Sequence, residues 1–194
     1  MFSSDGNFLR KIVLKSEPYS SAFTETGDVL ACIPFNGDNK LSLFTEDGKF
    51  IRHVNDSHLK YTVRLSVASD SRIITCDVPD NEIKVLSPDG KDLLLSFRAA
   101  DSDTCPYCAV YHQEKFFVSY SDAHCVKVFN NTGVYLYDMG SEGSGDGQLS
   151  EPFGLAIDRF NHLIVCDPGN KKTATFHTGR EVCHQGRGTI FRQE

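Results

Sequence analysis

A chain of 194 residues with 40% hydrophobic content can bury a substantial core, as one domain or at most two. Its 20 Lys and Arg against 26 Asp and Glu leave a formal charge of −6, which excludes nucleic-acid binding through overall charge, though not through a local basic patch. The opening Met1-Phe2-Ser3-Ser4-Asp5-Gly6 lacks the apolar run of a signal peptide, and no stretch approaches the roughly 18 apolar residues of a membrane span. With seven cysteines, an odd number, the expectation is a cytoplasmic protein with reduced thiols and no membrane contact.

In chain order, three landmarks recur in phase. An apolar or aromatic pair leads through polar residues to a glycine at Met1-Phe2 to Gly6, Leu43-Phe44 to Gly48, Val85-Leu86 to Gly90, Val128-Phe129 to Gly133 and Thr175-Phe176 to Gly179. Between these fall alternating segments at 21–24, 65–68, 108–111 and 155–158. Each is followed by an apolar segment at 29–32, 73–76, 116–119 or 163–166, before a turn carrying Asn39, Asn81, His124 or Asn170. Every unit thus holds four short extended segments; in the last they are 153–158, 162–167, 171–177 and 179–184. Two-residue alternation with β-branched and aromatic content predicts strands, and no segment sustains helical periodicity. Strand spacing alone also fits a sandwich or barrel, whereas a four-strand period of about 43 residues fits propeller blades. The reading is all-β, a single propeller domain over 1–194, with four complete blades at 18–54, 61–97, 105–139 and 152–184 and partial blades at 1–15 and 186–194.

The fourth unit carries the most specific motif. It reads Gly145-Asp146-Gly147-Gln148, then Pro152-Phe153-Gly154-Leu155-Ala156-Ile157-Asp158, then Leu163-Ile164-Val165-Cys166-Asp167-Pro168-Gly169-Asn170. This resembles an NHL repeat over about 30 residues; the other units are degenerate, with Asp77 and Asn81 keeping the Asp…Asn feature while Ile33 and Tyr120 replace the Asp. The resemblance implies a six-bladed ring. Six units of about 43 residues need about 258, so the chain is short by about a blade and a half and is expected to be a piece of a longer protein. An open arc leaves unpaired blade edges through which it could self-associate. Such propellers commonly form the C-terminal part of tripartite-motif proteins, where an upstream RING domain is a ubiquitin ligase and the propeller recruits a target, either a protein or RNA.

Most of the tempting chemistry has a structural explanation. Cys105-Pro106-Tyr107-Cys108 is a lone Cys-x-x-Cys without a second pair, and Cys108 falls in the repeat with Leu65 and Leu155, as a core position. Cys32, Cys76, Ser119 and Cys166 share one repeat position, which predicts tight packing between blades rather than metal ligation. Asp77, Asp167, Asn81 and Asn170 recur at turns, which predicts local backbone hydrogen bonding. Ser20, Arg64, Tyr107 and Gly154 occupy one position of the innermost strands and are poor metal ligands. No metal, cofactor or catalytic residue is therefore assigned, and a propeller lyase or lactonase is the least favoured reading. The candidate binding residues lie at the mouth of the channel. Loops leading into the innermost strands supply Tyr19, Tyr61, Arg64, Tyr107 and Phe153, and the turns between second and third strands supply His124, Lys171 and Lys172, beside Asn39-Lys40. Aromatic rings near Arg and Lys suit a protein partner or, alternatively, stacked bases and phosphates. Asp38, Asp80, Glu82, Asp101, Asp103, Glu142 and Asp146 on the same face oppose a phosphate backbone, so a protein partner is the leading expectation.

Overall fold

The computed structural model describes residues 7, 8, 11, 17–35, 38–54, 58–100 and 105–179. Three sheets hold four antiparallel strands each, in chain order from inside to outside. They are β1 (Ser20–Phe23), β2 (Val29–Phe35), β3 (Asp38–Phe44), β4 (Phe50–His53); β5 (Thr62–Val67), β6 (Ile73–Asp77), β7 (Glu82–Leu86), β8 (Leu93–Phe97); and β9 (Pro106–His112), β10 (Lys115–Tyr120), β11 (Cys125–Asn130), β12 (Tyr135–Met139). A parallel two-stranded ladder follows, β13 (Ser141–Glu142) with β14 (Gln148–Leu149), and then a sheet of β15 (Leu155–Ile157), β16 (His162–Asp167) and β17 (Lys172–His177). These are propeller blades. The expected outer strand of the last blade, 179–184, lies outside the described residues from 180 onward, as do the partial blades predicted at 1–15 and 186–194 save residues 7, 8 and 11.

The repeating glycines are explained by the turns that join third and fourth strands. Gly48, Gly90 and Gly133 have φ of 87°, 69° and 81°, and each donates its amide to a carbonyl three residues back. Turns between second and third strands put Asn81, His124 and Lys171 in the same left-handed region, with φ of 53°, 52° and 53°. Asn170 is therefore not the counterpart of Asn81. Lys171 holds that position, and Asn170 aligns with Asp80, because the Asp-to-Asn spacing in the last blade is one residue shorter.

Blades bury their faces against one another. Leu30, Leu41, Leu65, Ile73 and Leu86 fill the space between the first and second. Ile74, Ile83, Val85, Phe97, Phe116 and Phe129 fill it between the second and third. Phe117, Val126, Leu149, Leu163, Val165 and Phe176 fill it between the third and fourth. The shared Cys/Ser position binds blade to blade. The Cys32 thiol donates to the Thr62 carbonyl of the second blade, and Ser119 Oγ donates to the Phe153 carbonyl of the fourth at 2.6 Å. Cys76 is fully buried against the third blade. Cys166 differs: it is exposed, because it lies on the face of the last described sheet that no described blade covers.

Burial pushes the Cys32 thiol up to about 12, and raises Cys76 and Cys108 as well. Only the thiolate reacts. Brief alkylation of the folded protein at pH 8 is expected to label Cys166 while Cys32, Cys76 and Cys108 stay unmodified until denaturant is added, as peptide mass spectrometry would show. Cys105 and Cys108 are both free thiols, and Cys105 Sγ donates to Asn81 Oδ1 at 2.9 Å, so the Cys-x-x-Cys tethers a turn of the neighbouring blade.

Candidate functional site

Innermost strands β1, β5, β9 and β15 begin on one face, and the second-to-third-strand turns emerge there too, since each innermost strand starts opposite the end of its neighbour. Five predicted residues form a continuous row across this face. The Tyr61 and Tyr19 rings lie 6.5 Å apart. Arg64 donates from Nη1 to the Tyr19 carbonyl and from Nη2 to the Tyr107 hydroxyl, both at 2.9 Å. The Arg64 guanidinium also lies 4.9 Å from the Tyr107 ring centroid, within cation–π range. Tyr107 stacks on Phe153 with centroids 4.3 Å apart and planes at 20°. The row draws one or two residues from each of four blades and holds a single permanent charge, Arg64. A hydrogen bond that the Tyr19 phenol donates to Tyr61 raises it above its ordinary pKa.

The ladders correct the alignment of the third blade. Ser20 pairs with Cys32, Arg64 with Cys76, and Cys108, not Tyr107, with Ser119, while Leu155 pairs with Val165. Cys108 is thus the counterpart of Ser20, Arg64 and Gly154, rather than of Leu65 and Leu155. Tyr107 is an extra residue at a bulge between Pro106 and Cys108. A bulge re-aims its side chain. That is how the Tyr107 hydroxyl comes to lie beneath Arg64 and its ring against Phe153.

Rigid supports hold the row. Both oxygens of Asp77 accept backbone amides from the loop leading into β5, Tyr61 N at 3.1 Å and Lys60 N at 3.0 Å. Asp77 is buried and ion-paired at 2.6 Å with buried Lys84, which also reaches Asp80 at 3.1 Å and the His58 carbonyl at 2.7 Å. Burial acts to lower the Lys84 pKa, but its hydrogen bonds to Asp77 and Asp80 outweigh that and leave it raised. Asp167 plays the same part in the last blade, accepting Ser150 N at 2.7 Å and Asn170 Nδ2 at 2.8 Å. The expected local backbone bonding at these turns is replaced by long-range bonding: the amides captured by Asp77 and Asp167 belong to the loops that lead into the innermost strands, Asn170 Nδ2 donates to the distant Gly143 carbonyl at 2.8 Å, and Asn81 accepts the Cys105 thiol. The Lys84 contribution was not anticipated, although a lysine between Ile83 and Val85 in an apolar strand was a readable signal.

Of the other three predicted residues, His124 and Lys172 have partners of their own. His124 Nδ1 accepts the Glu151 amide at 3.1 Å, and its Nε2 lies 4.0 Å from Glu142. Lys172 Nζ caps the Ser144 and Gly145 carbonyls, each at 3.3 Å, and Lys171 is exposed. Asp80, one of the acidic residues of this face, is matched by both Lys60, at 2.6 Å, and Lys84. Asp101 and Asp103, and the side chains of Asp38, Asn39 and Lys40, lie outside what the structure describes. Among the described residues no three His, Cys, Asp or Glu side chains converge as a metal site, and no helix is long and apolar enough to cross a membrane.

No family model matches the chain. A stretch of 52 residues is 38% identical to protein wech of Drosophila melanogaster, covering 27% of this chain and 6% of that protein. A stretch of 44 residues is 36% identical to the E3 ubiquitin-protein ligase TRIM71 of Rattus norvegicus, covering 23% and 5%. Among solved structures, a streptogramin B lyase superposes with a TM-score of 0.68 at 18% identity, over 88% of this chain and 56% of the other. The WD40 β-propeller domain of Doa1 superposes at 0.61 and 15% identity, over 81% and 50%. The structural likenesses establish the propeller fold, and the matched stretches span only a small fraction of the curated relatives' length.

Proposed function

We propose that this chain is a non-catalytic recognition module of the NHL type that holds a protein partner on the face carrying Tyr61, Tyr19, Arg64, Tyr107 and Phe153. The observation that carries this reading is the row itself: aromatic rings and one arginine, side by side, backed by hydrogen-bonded loops. Tyr and Arg in such clusters supply most of the energy of protein interfaces. Their rotamers are already fixed, so binding would cost little ordering entropy. Local likeness to an E3 ubiquitin-protein ligase supports a place in substrate recruitment within a longer protein, and a cytoplasmic location is part of the same proposal.

RNA recognition is the second reading, favoured by the Tyr107–Phe153 stack, which resembles a platform for bases. The row, however, carries one cation, and phosphate binding needs several. Titration with single-stranded and hairpin RNAs at two salt concentrations separates the readings. The protein reading expects no binding at micromolar RNA. Micromolar, salt-sensitive binding that disappears in the Arg64→Ala, Tyr107→Ala double variant would make RNA the ligand instead.

A further inference from the structure

At the end of the last described sheet away from the aromatic row, two histidines meet. His162 opens β16, His177 closes β17, and they stand opposite one another in the antiparallel ladder. The next pair out carries a backbone bond, from Thr178 N to the Asn161 carbonyl. His162 and His177 therefore fall at a non-hydrogen-bonded position, where opposite side chains come closest. Their ring centres lie 4.6 Å apart with planes at 78°. Two imidazoles on one ion, each bound through a nitrogen about 2 Å from it, have ring centres about 4.5–5 Å apart. The spacing is thus already that of a pair of ligands.

One of the two rings is oriented from behind. His162 Nδ1 lies 3.0 Å from Oδ2 of Asp158, in the turn between β15 and β16. A carboxylate only accepts, so Nδ1 carries the proton and the lone pair sits on Nε2. Asp158 is itself fixed, its Oδ1 accepting the amides of Phe160 and His162, both at 2.8 Å. A carboxylate placed in this way sets the tautomer and the ring orientation of a metal-binding histidine. Leu163 and Val165 point to the core shared with the third blade, which leaves His162 with Ile164 and Cys166 on the face that no described blade covers. His177 is exposed. In the third blade the equivalent pair is Lys115 and Asn130, a cation and an amide, so the fold itself does not call for histidines here.

We propose that His162 and His177 bind a divalent transition-metal ion, with Asp158 as the positioning residue. Imidazole ligands select nickel, copper and zinc over magnesium and calcium, which take oxygen ligands. Cys166 lies four residues along the strand from His162, about 13 Å away, too far to join the shell. Two protein ligands leave coordination positions that water fills, and the ion ties β16 to β17 across the ladder. The site lies on the opposite face from the aromatic row, and its test leaves the partner-binding reading untouched.

The test titrates the full chain carrying Cys166→Ser, which removes the exposed thiol, with nickel chloride and follows the histidine ring signals by NMR. Nickel is paramagnetic and broadens the signals of the groups that hold it. The His162 and His177 ring C–H signals are expected to broaden together at micromolar nickel, and magnesium chloride is expected to leave them unchanged. His177→Asn, on an exposed position, is expected to raise the nickel concentration needed to broaden His162 at least tenfold. Asp158→Asn keeps an oxygen for the two turn amides and both ligands, and is expected to weaken binding about 10–100-fold. Ring ¹⁵N shifts in the metal-free protein are expected to show His162 protonated on Nδ1, and to lose that preference in Asp158→Asn, a change that a merely structural role for Asp158 would not produce. Absence of broadening at His162 and His177 at millimolar nickel, an unchanged nickel response in His177→Asn or in Asp158→Asn, or a metal-free His162 protonated on Nε2 would overturn the proposal.

Discussion

Asp77→Ala is expected to lower stability by about 3–5 kcal/mol, the cost of removing one partner from a buried ion pair. Its carboxylate is fully buried, pairs with Lys84 at 2.6 Å, and accepts the amides of Lys60 and Tyr61. Without it, a buried ammonium keeps Asp80 at 3.1 Å, Glu82 at 3.9 Å and the His58 carbonyl, and two loop amides lose their acceptor. Lys84→Met alone removes the opposite charge and is expected to be costly for the same reason. In the double variant Asp77→Ala, Lys84→Met no charge is stranded, so much of the loss should return. Urea unfolding of the four proteins measures the coupling. Simple addition of the two single losses would show that the pair is not acting as a unit.

Phe97→Ala is the second large effect, with an expected loss of about 3–5 kcal/mol for deleting a buried ring without collapse of the surroundings. Phe97 touches Phe116 and Phe129 across the interface of the second and third blades, and Gly133 is moulded to it. The φ of 81° at Gly133 holds the backbone where it is, which limits collapse into the space. Thermal unfolding by calorimetry reads the loss. A change below about 1 kcal/mol would mean that the wedge between blades closes on its own, contrary to rigid packing of the core.

How much of this could be read from residues alone follows from where each feature resides. Period and strand order were legible, because apolar runs such as Ile73-Ile74-Thr75-Cys76 and glycines such as Gly48, Gly90 and Gly133 answer to local rules of strand and turn. The inter-blade position of Cys32, Cys76 and Ser119 was legible from recurrence. The row at the channel mouth was legible as a set of residues but not as a geometry. Arg64 and Tyr107 belong to different blades, and their contact depends on a bulge that adds one residue without any mark in composition. The β9–β10 turn, one residue shorter than its counterparts in the other blades, displaced the alignment by one at Cys108, and the shorter Asp-to-Asn spacing misplaced Asn170. His124 and Lys172 read as free binding groups in the sequence; in the structure each is engaged with a loop backbone, which no spacing rule reveals.

Site-directed photocrosslinking tests the binding face most directly. A photoreactive phenylalanine analogue placed at Tyr19, which is 48% exposed in the row, is compared with the same analogue at Phe160, 63% exposed in the turn between β15 and β16 on the opposite face. With irradiation in cells that express the protein, position 19 is expected to yield a discrete protein adduct, which Arg64→Ala with Tyr107→Ala eliminates, while position 160 does not yield that adduct. An adduct to RNA at position 19, or the same protein adduct formed at position 160 and unaffected by the two substitutions, would contradict the assignment of the row as the partner-binding surface.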